Sequence, residues 1–156
     1  MSGLSVAIIT KNEERDLPVA LASVGFADEI VVVDSGSSDR TLEIAAEAGA
    51  KIVRYPWQGY AAQKNLAIDH CTQEWVLSLD ADECLSAELA EDLARVVSGE
   101  TQGFDYYSVP RLSLFVDRWM RHSGWYPDRQ LRLFRRGRGH FADRKVHEAI
   151  VPDGPG

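Results

Sequence analysis

Cysteine is scarce in this chain: Cys71 and Cys84 are the two among 156 residues, and their spacing fits no metal-binding motif. Two reduced thiols are therefore expected, not a disulfide framework. Long apolar runs are missing as well. No stretch reaches the roughly 18 residues of a membrane span, and no basic-then-apolar segment opens the chain. A cytoplasmic protein is the expectation. The glycine-rich nucleotide motifs are also absent: neither Gly-x-Gly-x-x-Gly nor Gly-x-x-x-x-Gly-Lys-Ser/Thr occurs, which argues against a dinucleotide fold and a P-loop enzyme. With no repeat, linker or low-complexity segment, residues 1–156 read as one domain.

Charge is unevenly placed. Residues 1–100 hold 7 Lys and Arg against 18 Asp and Glu, whereas residues 101–156 hold 10 against 6. The chain thus divides into an acidic part, residues 1–100, and a basic part, residues 101–156. A basic patch facing an acidic half suits an anionic substrate or an anionic membrane surface. Nucleic acid fits least, because the isoelectric point is about 5.0 and no nucleic-acid motif is present.

Four apolar runs have strand character: Leu4–Ile9, Glu29–Val33, Lys51–Tyr55 and Trp75–Leu79. Helical patterns follow each. The first starts near Asp16, with Pro18 in its first turn and Gly25 at its end; the last is capped by Ser86 and stopped at Ser98-Gly99. Alternation of this kind predicts an α/β fold with a doubly wound, mostly parallel sheet, helices on both faces. Beyond Gly103 the pattern changes. Tyr106–Phe115 and Gln130–Phe134 read as strands rich in aromatic residues and arginine, giving a mixed C-terminal portion.

Three strand ends carry polar clusters: Thr10-Lys11-Asn12-Glu13, Asp34-Ser35-Gly36-Ser37-Ser38-Asp39 and Asp80-Ala81-Asp82-Glu83. In a parallel sheet all three lie along one edge, in the crevice where open α/β folds bind nucleotides. The Asp-Ala-Asp-Glu turn is either a helix-capping turn or a carboxylate pair holding a hard divalent ion against a diphosphate. A haloacid-dehalogenase-type phosphatase would place such a pair after its first strand; here it follows the fourth. Asp34 suits a base N–H or ribose hydroxyls. The small Ser35-Gly36 segment permits close backbone approach, or simply caps a helix. Lys64 either faces a phosphate or is solvated.

Together with Gln63-Lys64-Asn65, these three clusters resemble the family 2 inverting glycosyltransferases of GT-A (nucleotide-diphospho-sugar transferase) fold. Gly124–Arg136, followed by Val146-His147-Glu148, is similar to the lipopolysaccharide core-biosynthesis β-glucosyltransferases within that family. Members of that subgroup usually continue well past the Val-His-Glu segment, whereas this sequence stops at Gly156.

The resemblance implies a UDP-sugar donor, with UDP-glucose preferred, a lipopolysaccharide inner-core or related lipid-linked glycan acceptor, and peripheral contact with the inner membrane. It implies Mg²⁺ or Mn²⁺ on Asp82, with Asp80 on the ribose or beside the metal, and His147 completing the metal or diphosphate site. Thr10 and Asp34 would meet the base or its ribose, with Asn12, Glu13 and Asp39 in the same pocket. A general base must take the acceptor proton on the far face of the sugar. Asp128 is the first choice and Glu83 its competitor, although Asp128 also has Arg129 and Arg132 within reach as ion-pair partners. Arg132 and its neighbouring arginines would meet donor phosphate or an anionic acceptor, or form a solvated basic face. Trp119, Trp125 and Tyr126 are either a sugar platform or core. Two rivals stand beside this reading. One is a nucleotidyltransferase, which should show a glycine-rich basic loop after the first strand. The other is a nucleotide-sugar-binding module without catalysis.

Overall fold

The computed structural model describes residues 3–99, 106–110, 114–116, 129–142 and 149–152. In chain order the elements are β1 (Leu4–Thr10), α1 (Leu17–Ser23), β2 (Glu29–Asp34), α2 (Thr41–Glu47), β3 (Lys51–Arg54), α3 (Tyr60–Asp69) and β4 (Trp75–Ser78). They continue as β5 (Glu83–Leu85), α4 (Ala87–Ser98), β6 (Tyr106–Pro110), β7 (Leu114–Val116), β8 (Arg129–Arg135), β9 (Gly139–Ala142) and β10 (Ala149–Pro152). The main sheet has the order β3-β2-β1-β4-β8-β6. Its first four strands are parallel, and β8 is antiparallel to both β4 and β6. The expected α/β sheet with a mixed C-terminal portion is what forms.

The continuous apolar runs of β1, β2 and β4 follow from burial on both faces, since a strand sends successive side chains to opposite sides. Leu4, Val6, Ile8, Trp75 and Leu77 pack with α1 and α4 through Leu17, Leu21, Leu89 and Leu93. Ala7, Val31, Val33, Val76 and Phe134 pack on the other side with Ala67 and Ile68 of α3 and Phe141 of β9. Phe134 is fully buried, and a Cβ at Gly139 would stand 2.9 Å from its ring, so only glycine lets β9 cross there. Among the described residues, no helix is long and apolar enough to cross a membrane.

Helix ends follow local chemistry. The Ser86 hydroxyl accepts from the Leu89 N–H at 3.1 Å, and Gly99 ends α4 in the left-handed region at φ 95°. Gly25 departs from its expected role: it has no left-handed φ, and α1 closes instead through the Val24 N–H on the Leu21 carbonyl. Two further expectations are corrected. The stretch read as one strand from Tyr106 to Phe115 divides, β6 joining the main sheet and β7 pairing with β5. The Asp-Ala-Asp-Glu turn does not cap a helix: Glu83 is the first residue of β5, and Ser86 caps α4.

The register positions the polar clusters. Thr10 lies opposite Asp34, and Asp34 opposite Arg54, so the loops after β1, β2 and β3 leave the sheet at one edge. Ala7 pairs with Ser78, which brings the Asp80 turn to the same edge.

Candidate functional site

The loops after β1 and β2 are stitched together by short side chains bonding to backbone. The Asn12 N–H donates to Ser37 Oγ at 2.8 Å, and the Ser38 N–H donates to Asn12 Oδ1 at 2.8 Å. The Glu13 N–H donates to Thr41 Oγ1 at 2.8 Å, and the Glu14 N–H to Asp39 Oδ2 at 3.2 Å. Asn12 takes φ 55°, a left-handed conformation that Asn tolerates better than most residues. Asn12 and Asp39, expected in a ligand pocket, are thus tethers of the two loops.

Asp34 organises the second loop from beneath and is 1% exposed. Its Oδ1 accepts from Thr10 Oγ1 at 2.7 Å and Ser37 Oγ at 2.6 Å; its Oδ2 accepts from the N–H groups of Gly36 at 2.9 Å and Ser37 at 2.8 Å. Gly36 has φ 110°, which is what lets the following Ser37 N–H turn back onto the carboxylate. Burial would raise the Asp34 carboxyl, but the bonds from Ser37, Thr10 and Gly36 outweigh it and hold the group below the usual carboxylate range.

The Asp80 turn is held by charge. The Glu83 N–H donates to the Asp80 carbonyl at 3.0 Å, and the Asp80 N–H donates to Glu83 Oε1 at 2.9 Å. Antiparallel pairing of Leu77 with Leu133 puts Arg132 of β8 beside Ser78, whose carbonyl accepts from Arg132 Nη1 at 3.1 Å. From there Arg132 reaches both Glu83 oxygens, at 2.7 and 3.0 Å, in a fork that Lys could not reproduce. Burial, then the Asp80 charge, push the Glu83 carboxyl upward, and Arg132 opposes both. With 3% of its surface exposed and both oxygens engaged by Arg132, Glu83 does not fit a general base; it positions Arg132 and the turn. Arg132, read from the sequence as a phosphate or acceptor contact, likewise stands behind the turn, its Nη2 3.9 Å from Asp80 Oδ2.

In front of this turn opens a cavity of about 830 Å³, lined by Ile9, Thr10, Lys11, Glu13, Ser35, Trp57, Tyr60, Gln63, Lys64, Asp80, Ala81 and Asp82. Lys64 is largely buried. It pairs with Asp80 Oδ1 at 3.1 Å and lies 4.8 Å over the Phe141 ring, so it is no solvated surface lysine. Its neighbour Asn65 bonds reciprocally with the Phe141 backbone, which fixes β9 on α3. Sequence reasoning missed Trp57, Tyr60 and Gln63 as lining residues. The first two are half-exposed and meet edge to face at 4.8 Å. Two exposed aromatic residues flanking Gln58-Gly59 at a strand's carboxyl end were the available signal.

Glu13, Asp80 and Asp82 crowd negative charge on this cavity. Burial, followed by Asp82, Asp16, Asp39 and Asp80, pushes the Glu13 carboxyl up to about 7. Carboxylate oxygens on an accessible wall fit a hard divalent cation, which commonly takes one or two carboxylates and completes its shell with water and substrate phosphate. Asp80 already faces Lys64 and Arg132, while Asp82 is exposed on the wall. Among the described residues no group of three or more His, Cys, Asp or Glu side chains forms a closed metal cage. Asp128 and His147 lie outside the described residues, as do Trp119, Trp125 and Tyr126.

The family model described as Glycosyl transferase family 2 matches residues 5–152. The chain is 38% identical over 164 residues to the lipopolysaccharide core biosynthesis glycosyltransferase LpsC of Rhizobium meliloti, covering 97% of the chain and 58% of that protein. It is 41% identical over 117 residues to an uncharacterised glycosyltransferase of Rickettsia typhi, covering 74% of the chain and 39% of that protein. The chain thus spans only part of the length of these relatives. Among solved structures, S. aureus TarS 1–349 in complex with UDP-GlcNAc is similar with TM-score 0.54 and 28% identity, over 62% of this chain and 31% of that one. The glucosyl-3-phosphoglycerate synthase of Mycobacterium tuberculosis, in complex with Mn²⁺, UDP and glucosyl-3-phosphoglycerate, has TM-score 0.54 and 23% identity, over 67% of this chain and 42% of that one. The second likeness concerns the fold alone.

Proposed function

Since the chain belongs to glycosyl transferase family 2, we propose that it moves a sugar, with inversion, from a UDP-sugar to a glycan acceptor. The observation that supports this most is the cavity itself. Thr10 and Ser35, at the ends of adjacent parallel strands, share it with the Asp80-Ala81-Asp82 turn, so one pocket offers both a base end and a diphosphate end. Asp34 is the carboxylate that takes the base N–H. Its four present bonds fill its acceptor positions, and the rotatable Ser37 hydroxyl is the one readily exchanged for a ligand donor.

Asp82, with Asp80 behind it, would hold a Mg²⁺ or Mn²⁺ ion, whose chemistry is to offset the charge gathering on the departing diphosphate. Asp128 takes the proton of the acceptor hydroxyl as its oxygen bonds to the anomeric carbon and the bond from that carbon to the diphosphate breaks. His147 is the proposed additional partner of the metal or diphosphate. Glucose as the sugar and an inner-core acceptor rest on the resemblance of the Gly124–Arg136 segment to the core-biosynthesis β-glucosyltransferases; the likeness to LpsC supports only a lipopolysaccharide-core acceptor. The excess of arginine in residues 101–156 suits such an anionic acceptor at the cytoplasmic face of a membrane.

Titration calorimetry with UDP and UDP-glucose, with and without Mn²⁺, tests the reading. Metal-dependent binding of UDP is expected; no uridine nucleotide binding in the presence of metal would overturn it. Asp128→Asn should abolish transfer and leave UDP binding intact, and retained turnover would remove Asp128 from the role.

A further inference from the structure

Gln63 combines deep burial with an unfinished hydrogen-bond inventory. It is 1% exposed, sits on the helix that packs across β1 and β2, and lines the cavity. Its Oε1 accepts from the Gln58 N–H at 3.1 Å. That bond sets the orientation of the amide, because an amide nitrogen cannot accept from an N–H. Its Nε2 is buried and has no hydrogen-bond partner among the described residues. Buried polar atoms are nearly always paired, and a donor left alone is destabilising where an apolar side chain of the same shape would not be. A donor in this state on a cavity-lining side chain can be completed by a group that enters the cavity and uncovers it.

The sheet order indicates what. The acidic turn follows β4, on one side of β1, whereas Gln63 is tied through Gln58 to the segment after β3, on the other side. A nucleoside diphosphate with its phosphates at Asp80 and Asp82 therefore directs its base toward Thr10, Ser35 and Gln63. We propose that Gln63 Nε2 donates to the 4-oxo oxygen of the donor's nucleobase and so selects uracil over cytosine. The inference rests on the uridine-nucleotide reading above. Uracil presents a carbonyl oxygen at that position, which completes the amide. Cytosine presents an amino group there, and two donors would face each other in a buried site; an unpaired contact of this kind discriminates far more than a missing methylene does.

The test compares UDP and CDP binding to the full chain with Mn²⁺ present, for the wild type, Gln63→Glu and Gln63→Met. Gln63→Glu keeps the shape and an acceptor for the Gln58 N–H while replacing the donor with an oxygen. Its added charge weakens both nucleotides, so the quantity read is the UDP-to-CDP affinity ratio. Gln63→Met removes the donor without adding charge and checks that ratio. The wild type should favour UDP by about tenfold or more, and both variants should lower the ratio several-fold. Gln63→Glu should lower it further than Gln63→Met, because its carboxylate can accept from the cytosine amino group, while the Asp34 contact to the base N–H keeps some preference for UDP in both. A ratio that stays at the wild-type value in both variants would overturn the role of Gln63 and leave the uridine site standing. Equal affinity of the wild type for UDP and CDP would overturn it as well. A wild type that binds neither nucleotide would remove the uridine site itself, and this inference with it.

Discussion

The two ends of the cavity are built on different physics. At the β1 and β2 end, Thr10, Asn12, Ser37 and Thr41 engage backbone N–H groups and the Asp34 carboxylate with neutral, short side chains. At the β4 end, Asp80 and Glu83 are held by Lys64 and Arg132 through charge. Hydrogen bonds from short side chains and backbone N–H groups, those to the Asp34 carboxylate included, are local and directional and preform a surface. Charge pairs leave the balance of sign to be completed, and the cavity wall here still carries Glu13 and Asp82 in addition. A base that has to be recognised by its hydrogen-bonding edge suits the first construction. A diphosphate that arrives with its own cation suits the second.

The largest effect is expected where the charged end is broken from behind. Arg132→Met leaves Glu83 buried without its partner, and removing one member of a buried pair costs about 3–5 kcal/mol. Urea denaturation should show that loss, and adding Glu83→Gln should recover part of it; equal stability of Arg132→Met and wild type would show that the pair does not hold the turn. At the neutral end, Asp34→Ala deprives Gly36, Ser37 and Thr10 of their acceptor. Water reaches part of that loop, so about 1–3 kcal/mol is expected. The Asp34 carboxyl is held low in the folded protein, so its contribution is present above its unfolded value and is lost as pH falls through the folded one. The acid limb of the stability profile should accordingly flatten in Asp34→Ala.

The smallest and most selective test concerns Glu13. Its carboxyl is raised from 4.5 to about 7, so between those values the folded state binds more protons than the unfolded chain. Stability of the metal-free protein should fall as pH rises through that window. Glu13→Gln should flatten the fall, which thermal melts from pH 4 to 8 would show. A slope unchanged in Glu13→Gln would mean that neither burial nor the neighbouring acids hold the Glu13 carboxyl up.

Much of this architecture is legible in the sequence. The four apolar runs, each followed by a helical pattern, required a sheet covered on both faces, and parallel pairing put their polar ends on one edge. Ser86 and Gly99 marked α4 by cap chemistry alone. What escaped was contact between residues far apart in the chain. Nothing near Glu83 announces that a residue 49 positions later will reach both its oxygens, and so the sequence offers it as a competing base. The residue types of Asn12 and Asp39 suit a ligand and a loop tether equally well; only the apposition of two loops shows that each bonds to the other loop's backbone.

The opposite ends of the cavity divide in the same way. The placement of Thr10, Asp34, Asp80 and Asp82 along one sheet edge was determined by the sequence alone, because strand ends in a parallel sheet have no freedom to leave their edge. Which of those groups is exposed and which is already satisfied was decided by tertiary structure. Burial and partner geometry turn Asp34 into the anchor of its loop and Glu83 into the holder of Arg132. They leave Asp82 on the wall and the Gln63 amide nitrogen without a partner among the described residues. Hydrogen-bond saturation is a property of three-dimensional neighbours, and no local spacing encodes it.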